Sequence, residues 1–135
     1  MALIDDIKKH EGFSPVVYQC TAGYDTIGYG QRVKYLKVTQ EQAEEWLEEE
    51  LQNLRYILAD KYNWFLPAPT EVQDIVMNMN YQLGVTSFSK FKKTIYLLAN
   101  KDYKGASEEM LDSKWARDDT PRRAKELSDR LKQVE

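Results

Sequence analysis

Lys9-His10-Glu11-Gly12-Phe13-Ser14-Pro15-Val16-Val17-Tyr18-Gln19-Cys20-Thr21-Ala22-Gly23-Tyr24-Asp25-Thr26-Ile27-Gly28-Tyr29-Gly30 changes character twice. It opens as the end of a helix. Leu3, Ile7 and Glu11 stand at i, i+4 and i+8, which predicts a first helix over 2–11 whose carboxylate points along the face that the helix buries. Gly12 follows where a helix commonly ends in a left-handed cap. Beyond it, Val16–Tyr18 is expected as a short strand, Ala22-Gly23 as a hairpin turn and Asp25–Tyr29 as the returning strand. A Glu at a helix end is ordinarily a solvated group. Held at the edge of a core it loses hydration, which favours its neutral form and makes Glu11 a candidate proton donor near neutral pH. Cys20 lies beside the expected turn and Thr26 on the second strand, so a hairpin packed on the end of the helix brings all three side chains toward one pocket. Gly28 and Gly30 clear one face of that strand for a ligand or another backbone.

Outward from this stretch the chain is helical. Thr39-Gln40-Glu41-Gln42 is a capping box opening the longest helix, about 40–61. Ala43, Trp46, Leu47, Leu51, Leu54 and Leu58 form its apolar stripe, and the glutamates opposite form a solvated face. Leu66-Pro67-Ala68-Pro69 breaks the chain. A second capping box, Thr70-Glu71-Val72-Gln73, leads into a helix with Val72, Ile75, Val76, Met79 and Leu83 inside and Gly84 as its stop. Asn78, Tyr81 and Gln82 are the polar groups on that helix that call for a role. Ser87 or Ser89 is expected to cap a helix carrying Phe91, Ile95 and Leu98. Tyr103, Ala106 and Met110 predict a further short helix, and Thr120-Pro121 starts the last, with Ala124, Leu127, Leu131 and Val134 buried. The fold class is therefore α+β, with a small β lobe at about 13–38 and a helical lobe at about 70–134.

A chain of 135 residues supports one domain with a real core. Hydrophobic content of 42% with 30% charged residues is that of a soluble globular protein. No apolar run reaches membrane-span length and the first residues lack a basic-then-apolar pattern, so no stable membrane insertion and a cytosolic start are expected. One Cys and one His leave no internal disulfide and argue against a His/Cys zinc site. The net charge of −3 argues against nucleic-acid binding.

Glu11, then Cys20 nine residues on, then Thr26 six further, resembles the catalytic signature of the phage lysozymes of the T-even type, in which Asp or Cys occupies the middle position. Two further stretches, in family order, carry the resemblance: Asn78-Met79-Asn80-Tyr81-Gln82-Leu83-Gly84, and Ser113-Lys114-Trp115-Ala116-Arg117-Asp118-Asp119-Thr120-Pro121-Arg122-Arg123-Ala124, similar to the family's Trp and Thr-Pro-x-Arg-Ala element. The resemblance implies a lysozyme-like α+β fold, with the long helix bridging a small β lobe and a larger helical lobe and a cleft between the lobes. It implies an endolysin that hydrolyses the β-1,4 bond between N-acetylmuramic acid and N-acetylglucosamine in bacterial peptidoglycan, without cofactor or metal. In that reading Glu11 is the general acid and Arg123 the cation that pairs with it, the pairing lowering its pKa while burial raises it. Cys20 is a thiolate nucleophile, a base, or a group that helps place a water held by Thr26; these stay open. A free thiol is mostly protonated near neutrality, so Cys20 does not stand in for a permanently ionised carboxylate. Tyr81, Gln82 and Trp115 match positions that line or brace the cleft. Arg32, Thr94 and Glu109 fall near saccharide contacts with residue types unlike the best-known member. Gln31 stands where relatives commonly have His. The implied protein is a monomer waiting in the host cytoplasm until a separate holin-like pore protein lets it reach the wall. The rival expectation is an idle wall-binding or virion structural module that has kept the fold.

Overall fold

The computed structural model describes residues 2–135. The chain is mixed α+β, mostly helical with one small three-stranded antiparallel sheet. Its elements are α1 (Ala2–Glu11), β1 (Ser14–Gln19), β2 (Asp25–Gly28), β3 (Gln31–Arg32), α2 (Gln40–Lys61), α3 (Thr70–Leu83), α4 (Val85–Phe88), α5 (Lys92–Ala99), α6 (Tyr103–Glu109) and α7 (Pro121–Lys132). Two compact units divide between Glu44 and Glu45.

In the first unit the strands follow the order β1-β2-β3, so sequence neighbours pair. Tyr18 faces Thr26 and Gln19 faces Asp25 across the first hairpin. Thr26 in turn faces Arg32, and Ile27 faces Gln31. The first hairpin closes on a loop one residue longer than the Ala22-Gly23 turn expected. The Gly23 N–H donates to the Cys20 carbonyl at 2.8 Å and the Cys20 N–H donates to the Tyr24 carbonyl at 3.0 Å. Thr21, Ala22 and Gly23 form that loop, and Gly23 takes the left-handed conformation, φ 84°, that a three-residue hairpin needs at its third position. Toward its start β1 slips register between Ser14 and Tyr18. Pro15 lies in that interval and has no N–H for the ladder, which an edge strand tolerates.

Helix α1 does not bury the stripe expected of it. Leu3 is 73% exposed and Ile7 45%. Within its own unit the helix lies beside the β2–β3 turn, where Leu3, Ile4 and Ile7 line a pocket with Tyr29 and Gln31. There Lys8 Nζ lies 5.5 Å from the Tyr29 ring centroid, and Phe13, just past the helix, packs on the same ring at 5.4 Å.

The Thr39–Gln42 capping box forms: the Gln42 N–H donates to Thr39 Oγ1 at 3.1 Å, and the Thr39 N–H donates to Gln42 Oε1 at 3.2 Å. Along α2 the stripe is buried only toward the C-terminal end, where Leu58 is fully enclosed and Leu51 and Leu54 pack on the core. Trp46 and Leu47 stay exposed, contrary to the periodicity.

The second unit gathers the core around α3, with Val72, Ile75, Val76 and Met79 inside, packed with Phe88, Met110 and Leu127. Its expected capping box is absent. The turn begins at Pro69 with no side-chain cap. The Gln73 amide instead donates to the carbonyls of Leu66 at 3.0 Å and Ala68 at 2.9 Å, and its oxygen accepts from Arg55 Nη1 at 2.6 Å. Where one capped helix was expected after Gly84 there are two short ones, α4 and α5, and neither Ser87 nor Ser89 caps α5, which Phe91 precedes. Asp102 caps α6 through the Gly105 N–H at 2.9 Å. Trp115–Asp119 forms a wide π-type turn that no sequence pattern announced. Helix α7 buries Ala124, Leu127 and Leu131, while Val134 is partly buried against the core.

Candidate active site

Cys20 occupies the first position of its loop's tight turn. Asp, Asn and Ser favour such positions because a short side-chain acceptor takes a backbone N–H two residues on. Here sulfur fills that place. The Tyr24 N–H and then the Ala22 N–H stabilise its thiolate, partial burial opposes them, and the Arg32 charge adds to them. The net result pulls the thiol below the ordinary cysteine range. A carboxylate and a thiolate can accept from the same N–H groups.

Thr26 is 2% exposed, on the strand facing that loop. Its hydroxyl proton is committed, since Oγ1 donates to the Tyr24 carbonyl at 2.8 Å. What Thr26 has left to offer is acceptor lone pairs. Arg32 faces Thr26 from β3, with its guanidinium carbon 3.9 Å from the Tyr24 ring centroid.

Glu11 ends α1, and its carboxylate lies over Gly30. A Cβ at Gly30 would collide with that carboxylate, and Gly30 also has φ 75°. The glycine thus makes room for the acid rather than for a ligand directly. The Glu11 side chain is exposed. Glu11 at the β2–β3 turn and Cys20 at the β1–β2 loop stand at opposite ends of β2, a strand of four residues. At about 3.3 Å per residue that strand is roughly 10 Å from its first Cα to its last.

The remaining expected residues lie in the second unit. Tyr81 presents its ring to solvent at 49% exposure. Gln82 is braced: its Oε1 accepts from Trp115 Nε1 at 2.9 Å and its Nε2 donates to Thr120 Oγ1 at 3.2 Å. Trp115 is buried at the core, edge-on to Phe91 at 6.1 Å, so its ring face is not free to pack on a sugar; it acts through Gln82. Thr94 is likewise buried, yet with Glu109 it lines a groove of about 340 Å³ whose rim carries Lys90, Lys92 and Lys93. The Arg123 guanidinium is held by Asn78, with Nε donating to Oδ1 at 2.8 Å.

Two supporting residues escaped the sequence reading. Tyr24 gives its carbonyl, N–H and ring to the Cys20–Thr26–Arg32 group, a role that exists only once the loop has closed. Thr120 was read as a helix cap, but its hydroxyl turns to Gln82 instead and makes no cap bond. Asn78 was visible as an unexplained polar group, without its partner. Among the described residues no group of three or more His, Cys, Asp or Glu could hold a metal ion, and no helix is long and apolar enough to cross a membrane.

Comparison with known proteins agrees with this arrangement of elements. The phage lysozyme family matches residues 8–133. An endolysin of Acyrthosiphon pisum secondary endosymbiont phage 1 is 32% identical over 114 residues, covering 82% of this chain and 75% of that protein.

Proposed function

Since the chain belongs to the phage lysozyme family, we propose that it is an endolysin that hydrolyses the β-1,4 bond between N-acetylmuramic acid and N-acetylglucosamine in peptidoglycan. The observation that carries this reading is the short sheet with Cys20 and Thr26 side by side at one end and the Glu11 carboxylate over Gly30 at the other.

In this mechanism Glu11 gives its proton to the leaving glycosidic oxygen as the C–O bond breaks, and a water attacks the oxocarbenium-like carbon from the opposite face. Thr26, with its own proton on the Tyr24 carbonyl, orients that water by accepting one of its hydrogens. Cys20 as thiolate takes up the proton that the attacking water loses. Tyr81 and Gln82 contribute saccharide contacts, the first by its exposed ring and the second by the amide capacity left free by Trp115 and Thr120. The enzyme acts on the wall after a separate pore-forming protein has opened the membrane.

Clearing of chloroform-treated Gram-negative cells tests the assignment. The wild type is expected to clear the suspension, and Glu11→Gln to abolish clearing; an idle module leaves it cloudy at every dose. The product anomer, followed by NMR during turnover, is expected to be inverted, and retention would exclude the water route.

A further inference from the structure

The sheet face that carries Cys20 and Thr26 also carries a cation. Tyr18, Thr26 and Arg32 stand opposite one another across the three strands, and Cys20 and Tyr24 close the same hairpin. Alternation along each strand therefore puts Tyr18, Cys20, Tyr24, Thr26 and Arg32 on one face and Gln19 and Asp25 on the other. An arginine on a short edge strand ordinarily samples many rotamers. Here its guanidinium carbon lies 3.9 Å from the Tyr24 ring centroid, where the ring's negative face attracts it. Tyr24 is itself anchored, because its carbonyl accepts from both the Cys20 N–H and the Thr26 hydroxyl. Beside this pair runs a groove of about 430 Å³ lined by Gln19, Tyr24, Asp25, Arg32 and Lys34.

We infer that Arg32, held on the Tyr24 ring, is a positioning residue for Cys20, supplying a positive charge on the same sheet face one strand beyond the hairpin that carries the sulfur. This rests on the proposed part of the thiol in hydrolysis. The other titratable groups on that face are the phenols of Tyr24, just before β2, and of Tyr18 on β1. Asp25 alternates to the other strand face but lines the same groove as Tyr24 and Arg32, so its carboxylate offsets part of the Arg32 charge; Lys34 follows β3 in that groove, and α1 holds Glu11 at Gly30, at the far end of β2 from the thiol's loop. Arg32 thus acts in the same sense as the Tyr24 and Ala22 N–H groups, at longer range.

The test is the rate of iodoacetamide alkylation of the chain's single cysteine, read by intact mass between about pH 5 and 10. Arg32→Gln is expected to move the profile to higher pH and to slow alkylation at pH 7 severalfold. Arg32→Lys keeps the charge and is expected to restore most of that rate, and Tyr24→Leu, which removes the ring, to fall between. Raising salt from about 0.02 M to about 0.5 M should narrow the gap between wild type and Arg32→Gln. An Arg32→Gln profile that superimposes on the wild type, with an unchanged far-UV spectrum, overturns the inference. If alkylation shifts while the pH dependence of clearing does not move, Arg32 keeps its role and the thiol's part in the reaction falls.

Discussion

Cys20 shows how much of a residue's chemistry is set by the backbone around it. Its side chain has no carboxylate and no permanent charge, yet the turn that begins at it aims N–H groups at whatever acceptor sits there. Because its pKa is lower in the folded chain than in the unfolded one, the thiolate's contacts add stability above the unfolded value. That contribution is lost as pH falls through the folded value. Alkylation of the wild type is therefore expected to half-titrate below the roughly 8.5 of a free cysteine. A midpoint at or above that value in the native protein, dropping on addition of denaturant, would contradict the geometry. Cys20 and Thr26 can be named only through their resemblance to the phage lysozyme signature. Tyr24 could not, since a tyrosine between Gly23 and Asp25 carries no local signature of a residue that organises three others.

Among the helices, two sequences of the same form behave differently. Thr39–Gln42 closes a reciprocal box, whereas Thr70–Gln73 does not, because the Gln73 amide satisfies two loop carbonyls and Arg55. Local capping competes with tertiary partners, and after Pro67 and Pro69 the loop carbonyls prevail. Gln73→Ala should then cost about 1–3 kcal/mol, the range for leaving partners unmade, while Thr70→Ala should be near neutral and Thr39→Ala should cost about 1 kcal/mol. Urea unfolding of the three variants checks the order. A Thr70→Ala loss as large as that of Gln73→Ala would restore the second box. The split of α4 from α5 was illegible for a related reason, as both pieces are too short for periodicity to mark a boundary.

Across the molecule, burial is uneven. Among the described residues before Glu45 only Thr26 is fully buried, while the second unit encloses Phe65, Val72, Ile75, Phe88, Met110 and Leu127. Cooperative protection follows buried apolar packing. Native-state hydrogen exchange is expected to be slowest in α3 and α7 and faster through residues 2–44, by orders of magnitude where opening is local. Uniform protection of both units would refute that gradient. The acid, thiol and hydroxyl of the proposed reaction all belong to the less enclosed unit, on a sheet held by backbone bonds and a few aromatic contacts.

Whatever depends on near neighbours was settled by the sequence: the period of α3 and α7, the alternation and glycine punctuation of the sheet, the Thr39 cap, and the spacing that set Cys20 and Thr26 on one hairpin. What tertiary structure alone decided was which apolar stripes found a surface to cover and which polar groups found partners. Leu3 and Ile7 are exposed although their period is helical. Trp115 became a brace for Gln82 rather than an open ring, because its indole N–H had to be satisfied as its ring was buried. Periodicity records which way a side chain points, but burial and hydrogen bonding depend on what a distant segment brings to meet it.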